Sequence, residues 1–557
     1  MNSYLPNRNQ LIAVVWKSCC AALLLLAATP ANAQFFTDEC GILRVPSEYE
    51  TIQAAINAAS DGSIVLVSRG TYAENLQIAN RKVALVSEGG PYGSIVSGGG
   101  SAPAIDVMGS DTVAVINGFK IEGGIPDEGG KIRVADADVW LINNVFSTET
   151  SAEPGAEVYL DRANAVIGYN LFSRGADLSL RSREGRLSLF HNRFEHRQAG
   201  MLIEQAELFE CAEHYFFGVE EPVRIEDSQG VTMFDNRFAS PGGPVIYCLD
   251  SHGAIKNSLF VGADGQGIVV EGQSNINMQN LTFFSNDGDA IDIRGGTASV
   301  FDSIFCTSSG FGVTKNPSAT VNSDYNLFFE NGGYGSGLEA GDHDLFEDPL
   351  LQSDYSLAHR DAGQSATSPA VDAGSQRADA TLLPDDEALD WRMFMIDESG
   401  IFRAEKSMEF KTTRTDYVGD SGWLDMGYHS NIPDNDPPEL PETITIRISM
   451  RDTVLSPGER FLLQIRTRSP RLLMADYYII LDVWGQYFFW PSWVPYPPDI
   501  DHQCAAVFPG ETRVEILDFI WPSGAGSATD LGFWAALADP GTYEILAMHN
   551  IFWHYSE

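Results

Sequence analysis

The 557-residue sequence predicts an all-β protein: a parallel β-helix with coils of about 22 residues, followed by a β-sandwich of immunoglobulin-like type. Two observations predict the solenoid. The phrase Asn-x-Phe recurs as NNVF (Asn143–Phe146), YNLF (Tyr169–Phe172), HNRF (His191–Phe194) and DNRF (Asp235–Phe238), then as KNSLF, QNLTF, DSIF and YNLF up to Phe328. Between these phrases lie short β-type runs broken by Gly, Asn and Asp, with too few residues for a helix. A third observation predicts the sandwich: beyond residue 442 the phrase stops, and longer runs such as TITIRISM and DYYIILDVWGQYFFWPSW replace it.

The elements follow in chain order. Residues 1–33 have the form of an export signal, with Arg8 and Lys17 before AALLLLAATP and Ala31-Asn32-Ala33 as a small-x-small cleavage pattern. The mature chain is expected from Gln34, secreted or otherwise outside the cytoplasm, with no later stretch long enough to span a membrane. TIQAAINAA (51–59) places Ile52, Ala55, Ile56 and Ala59 on one helical face. This single helix is expected to cover the open strand edge of the first coil, which would otherwise invite pairing with other chains. The solenoid then runs to residue 430. Its repeated asparagines, at 144, 170, 192, 236, 257, 280 and 326, with Asp302 once and His214 bisecting the double interval, predict a side-chain ladder from coil to coil. The following Phe fills the interior. NIPDNDPPELPE (431–442) reads as a stiff linker, and 443–557 as an accessory sandwich.

TIQAAINAA followed by GSIVLVSRGTYAENLQI resembles the start of right-handed β-helix proteins of the pectin lyase-like superfamily. DYNLF, DPLLQSDYSLAHRDAGQSATSPAVDAGS and LDMGYH resemble the closing coils of exported bacterial members. Together these cover roughly residues 40–430. The resemblance implies right-handed winding, and relatives that include lyases, hydrolases, epimerases, esterases and proteins without catalysis. No match occurs to the pectin methylesterase motifs, to the Gly-His-Gly and Arg-Ile-Lys pair of polygalacturonases, or to the Asp-Pro-His-Asp of mannuronan epimerases.

A formal charge of −41 repels nucleic acid and anionic membrane, so neither is expected as a partner. Beyond the signal, Cys40, Cys211, Cys248, Cys306 and Cys504 remain. They are odd in number, match no zinc spacing and are expected mostly as small buried hydrophobes.

Registering the coils by apolar alternation predicts one outward column of Arg181, Glu204, Glu226, Cys248, Glu271, Arg294 and Asn316. A second holds Ser179, Leu202, Arg224, Ile246, Val269, Asp292 and Thr314. The coil GGPVIYCLD fits two ways, with either Val245/Tyr247 or Ile246/Cys248 inside. Arg181, Glu204, Arg224 and Glu226 form the candidate catalytic group. Glutamates one coil apart, ~4.8 Å, repel, which raises one pKa as general acid catalysis requires. The arginines could pair with a uronate carboxylate, and clustered carboxylates could hold calcium, the one candidate cofactor. The bland alternative is an exposed ladder of ion pairs that adds little stability.

Tyr247, Glu271, Asp292 and Arg294 extend this surface as candidate substrate contacts. In the sandwich, Trp493 and Tyr496, set among prolines, are candidate sugar-stacking rings. A basic cluster of Arg174, Arg181, Arg183, Arg186, Arg193, His196 and Arg197 would either bind a polyanion or pair with Glu184, Glu195 and Glu213. The acidic loops Asp342-His343-Asp344 and Asp385-Asp386-Glu387 lack ordered calcium-ligand spacing. The functional expectation is a monomeric, exported β-helix that binds or processes polysaccharide or cell-surface glycan, as a lyase or glycoside hydrolase if it is an enzyme. The alternative is a non-catalytic surface, adhesive or structural protein that uses the solenoid as a rigid display rod.

Overall fold

The computed structural model describes residues 41–100, 102–124, 130–147, 155–173, 178–380, 382–384, 405–408, 411–431, 443–450, 453–469, 473–490, 492–496, 500, 502–507, 510–523, 527–539 and 543–556. The export signal, the linker from 432 to 442, Arg174 and Asp385-Asp386-Glu387 lie outside them. The chain divides into two compact units, within Leu43–Asp434 and Asn435–Glu557.

In the first unit the strands of Ile42–Ser336 join one continuous ladder, each pairing in parallel with its equivalent on the neighbouring coil. Phe172, Phe194, Phe216, Phe238 and Phe260 are successive register partners, a step of 22 residues, as the sequence period requires. Their rings, with Phe146, Phe283, Phe305 and Phe328, stack inside the solenoid with centroids 4.4–5.3 Å apart. The only α-helix among the described residues, Ile52–Ala58, buries Ile52, Ala55 and Ile56 against the first coil. Thr51 caps it through its hydroxyl, and the Glu74 carboxylate accepts the backbone N–H of Ile52 and Gln53.

The ladder exists, but at three of its nine expected positions the rung falls one residue later, on Ser258, on Leu281, which has no acceptor and interrupts it, and on Ser303. Backbone N–H groups donate to Asn144, Asn170, Asn192, His214, Asn236, Ser258, Ser303 and Asn326 in turn, and Asp344 closes the stack. Asn257, Asn280 and Asp302 are not rungs. They share the preceding position with Asn143, Tyr169, His191, Glu213, Asp235 and Tyr325, all left-handed with φ between 41° and 59°. That conformation turns the next side chain inward, and Asn and Asp tolerate it best.

The left-handed residues instead face the returning chain. Lys411 Nζ lies 2.6 Å from Asp235 Oδ2, with both groups buried. Asn257 exchanges hydrogen bonds with the His429 backbone, Asn280 Nδ2 donates to Asp425 O, and Asp302 accepts from Ser375. Met408 and Leu424 pack on Ala212 and Phe234. The segment containing LDMGYH is therefore docked along one edge of the coils.

The second unit is a sandwich. Thr445–Met450, Arg460–Ser469 and Gly510–Ile520 form an antiparallel sheet. It faces a larger sheet in which Ile545–Tyr555, Ala528–Ala538, Leu473–Val483, Gln486–Phe489 and Val494–Tyr496 lie side by side. Alternate residues, among them Ile448, Leu463, Ile479, Phe533 and Trp553, make the core between them.

Candidate functional site

The strands that follow the Phe-bearing turns place two parallel columns on the outer face of the β-helix. The first runs Asp106, Arg133, Tyr159, Arg181, Leu202, Arg224, Tyr247, Val269, Asp292 and Thr314. Two residues further along each strand, the second runs Asp161, Arg183, Glu204, Glu226, Leu249 and Glu271. Glu204 and Glu226 are register partners, as expected. Four expected members are corrected. Arg181 pairs with Leu202, so Arg183 stands opposite Glu204, while Ser179 is buried. Cys248 and Ile246 point into the core, which puts Tyr247 and Leu249 outside and resolves the ambiguous coil.

The side chains still meet, diagonally. Arg181 grips Glu204 with two hydrogen bonds, 2.7 Å from Nε and 3.2 Å from Nη2. Arg224 pairs with Glu226 on its own strand, and its guanidinium lies 4.4 Å from the centre of the Tyr247 ring. The Tyr247 hydroxyl donates to Glu271 at 2.9 Å, and burial followed by that bond raises its pKa. Arg294 lies 2.7 Å from Asp292 and 3.7 Å from Glu271. A half-exposed strip of linked charges therefore crosses successive coils from Arg181 to Arg294. Sequence reasoning missed its upstream continuation: Asp161 accepts from Arg183, and Asp106 accepts from Arg133 through two bonds of 2.6 and 2.9 Å. No fixed count from the Phe column reaches them, because Asp161 lies 15 residues after Phe146 but Arg183 only 11 after Phe172, and the upstream coils carry Ile121 and Val96 at the Phe position.

The basic cluster is divided. Arg183, Arg186 and Arg193 pair with Asp161, Glu207 and Glu195, and His191 with Glu213. Arg197, expected at the surface, is buried, with Nη2 2.6 Å from Glu157 Oε2, while Lys131 meets the other oxygen of that carboxylate. Trp493 is only 8% exposed and packs in the sandwich core, so it is not an open stacking ring; Tyr496 is exposed. Asp342-His343-Asp344 is structural: Asp344 accepts from Asn326 and Gly341, and His343 binds Asp324. Cys211, Cys248 and Cys306 are free and buried; Cys40 lies outside the described residues, as does the side chain of Cys504. Among the described residues no His, Cys, Asp and Glu group converges as a metal site, and no helix is long and apolar enough to cross a membrane.

Fold and surface define a right-handed parallel β-helix protein with an appended β-sandwich. Residues 213–346 match the family model described as the right handed beta helix region. No curated protein matches the chain. Among solved structures it is similar to the A-module of mannuronan C-5 epimerase AlgE6 of Azotobacter vinelandii, at 12% identity and a TM-score of 0.38, covering 54% of this chain and 94% of that one. The AlgE4 A-module of the same organism gives 12% identity and a TM-score of 0.25, covering 53% and 92%.

Proposed function

We propose that the strip from Arg181 to Arg294 binds an extended, uncharged polysaccharide lying along the solenoid axis, outside the cytoplasm. One observation carries this: guanidinium, carboxylate and phenol groups are fixed to one another on successive coils. Adjacent coils lie ~4.8 Å apart, so donors and acceptors recur at about the length of a pyranose unit. Three arginines stand against Glu204, Glu226, Glu271 and Asp292, leaving the strip close to neutral in a chain of charge −41. Such paired groups hydrogen-bond vicinal hydroxyls on both sides of a ring, whereas an anionic chain would be repelled by the surrounding surface. Tyr247 gives an apolar patch beside them, held in place by Arg224 and Glu271.

The same pairing favours binding over bond cleavage. Each strip carboxylate already meets a guanidinium or a phenol, so a general acid would first have to be released. The test is a panel of neutral and uronate polysaccharides, with and without calcium, scored for both retardation and product. Retardation by a neutral glycan that drops in Glu204→Gln and Arg224→Ala is expected. Turnover abolished by Glu204→Gln or Glu226→Gln would replace binding with catalysis, and unchanged retardation in all three variants would remove the strip from the function.

A further inference from the structure

The sandwich carries a second surface, built on different residues. Along its larger sheet the odd-numbered side chains from 475 to 483 and from 531 to 537 face the core, and their neighbours face outward. One outward row crosses five adjacent strands: Phe552, Gly532, Asp482, Tyr487 and Tyr496 are successive cross-strand partners. Phe552, Tyr487 and Tyr496 are 58%, 40% and 44% exposed. The next row adds Trp534, Ile480 and Phe489. Asp482 is the only charged group in these two rows.

Three side chains close around Gly532 in the middle of this row. A Cβ at that position would meet the Phe552 ring, the Trp534 indole and the Asp482 side chain, each at 3.4 Å. The edge of the Phe552 ring therefore lies beside the bare glycine. At the other end of the row, Tyr496 is braced edge-on by Phe489, with centroids 6.2 Å apart. Phe552 and Tyr487 are three strand spacings apart, ~14 Å, with the Asp482 carboxylate between them. Apolar islands of this kind on a highly charged protein mark binding surfaces.

We propose that this outer face binds a flat, ribbon-like neutral polysaccharide by ring stacking. The C–H faces of equatorially linked hexopyranoses match a row of exposed aromatic rings, and Asp482 with the tyrosine hydroxyls meets the hydroxyl edges of the ribbon. The row is aromatic and carries a single charge, so it suits a neutral ribbon better than a soluble anionic chain.

The probe is the full-length protein sedimented with microcrystalline cellulose or with chitin. Retention on one of them is expected, falling about tenfold in the Tyr487→Ala/Tyr496→Ala pair, from the loss of two stacked rings, and comparably in Phe552→Ala. Phe552→Trp should retain binding. No retention on either ribbon, or retention indifferent to these changes, overturns the proposal. So does a dimer in sedimentation equilibrium that Phe552→Ala dissociates, because the face would then be a protein interface. The strip on the β-helix is tested by other residues with soluble glycans, so either site can fail while the other stands.

Discussion

His214 shows what a single rung requires. Its Nδ1 accepts the Asn192 N–H at 3.0 Å, so that nitrogen must be unprotonated, and its buried Nε2 finds no partner. Burial, reinforced by His191, lowers its pKa from 6.5 to about 3. An asparagine there would accept the same N–H and offer an amide to the coil below, as Asn170 does toward Leu141 O. His214→Asn should therefore stabilise the β-helix by ~1 kcal/mol. The neutral imidazole contributes fully above pH 6.5, and its contribution fades as pH falls toward 3. The melting-temperature gap between His214→Asn and the parent should widen from pH 7 to pH 4; a constant gap would mean the ring accepts no such bond. The sequence displays this rung through spacing alone, since His214 bisects the interval between Asn192 and Asn236. Counting asparagines fails further on because Asn257 and Asn280 serve the docked segment, while the rungs there are the serines Ser258 and Ser303.

At the scale of an element, alternation and register are separate kinds of information. Inward and outward faces are legible in every strip coil but GGPVIYCLD, because a one-residue error reverses the whole pattern. A two-residue slip preserves it, which is why Arg181 aligned with Glu204 in place of Leu202. Beyond Phe172 the corner holds one residue more than its neighbour, since Ser173 pairs with Glu195 but Leu178 with Ala199. The returning segment was recognisable by resemblance, yet nothing in its letters located its dock. Its hold is ionic and buried: burial raises the Asp235 carboxyl more than Lys411 lowers it. Lys411→Met leaves that carboxylate without its cation and should cost about 3–5 kcal/mol, whereas adding Asp235→Asn should recover part of the loss. Denaturant unfolding of the single and double variants checks this.

The same segment should loosen in alkali. Both His429 nitrogens face acceptors, Gly427 O and Asp420 Oδ2, each at 2.9 Å, so the pair retains a proton. Burial opposes charge on His429, but Asp420 outweighs it and the net pKa rises. Burial, then Asp420, lifts Asp425 from 3.8 to about 6. Both folded-state values lie above their unfolded ones, so this stabilisation is complete below pH 3.8 and is lost as pH rises through 6 and beyond. Amide exchange within residues 411–431 should be slower at pH 5 than at pH 8 after correction for intrinsic rates. The opposite order would show that the buried protons do not hold the segment.

For the whole molecule, strand-length patterns separated solenoid from sandwich, but composition could not reveal that each carries its own exposed strip or face. The two buried clusters share no residue: one is threaded by the Phe stack, the other built around Phe533 and Trp553. Heating should then give two transitions, which the core variants assign. Phe216→Ala empties a mid-stack position and should lower only the β-helix transition, by the ~3–5 kcal/mol typical of a buried Phe. Phe533→Ala should lower only the sandwich transition. With that assignment, calorimetry locates ligands without any activity assay, because a ligand at one hundred times its Kd adds ~2.7 kcal/mol to the unit that binds it. A soluble neutral glycan held by the Arg181–Arg294 strip must raise the transition that Phe216→Ala lowers. If it raised only the one marked by Phe533→Ala, glycan recognition would belong to the sandwich, and the charge-paired strip would be scaffold.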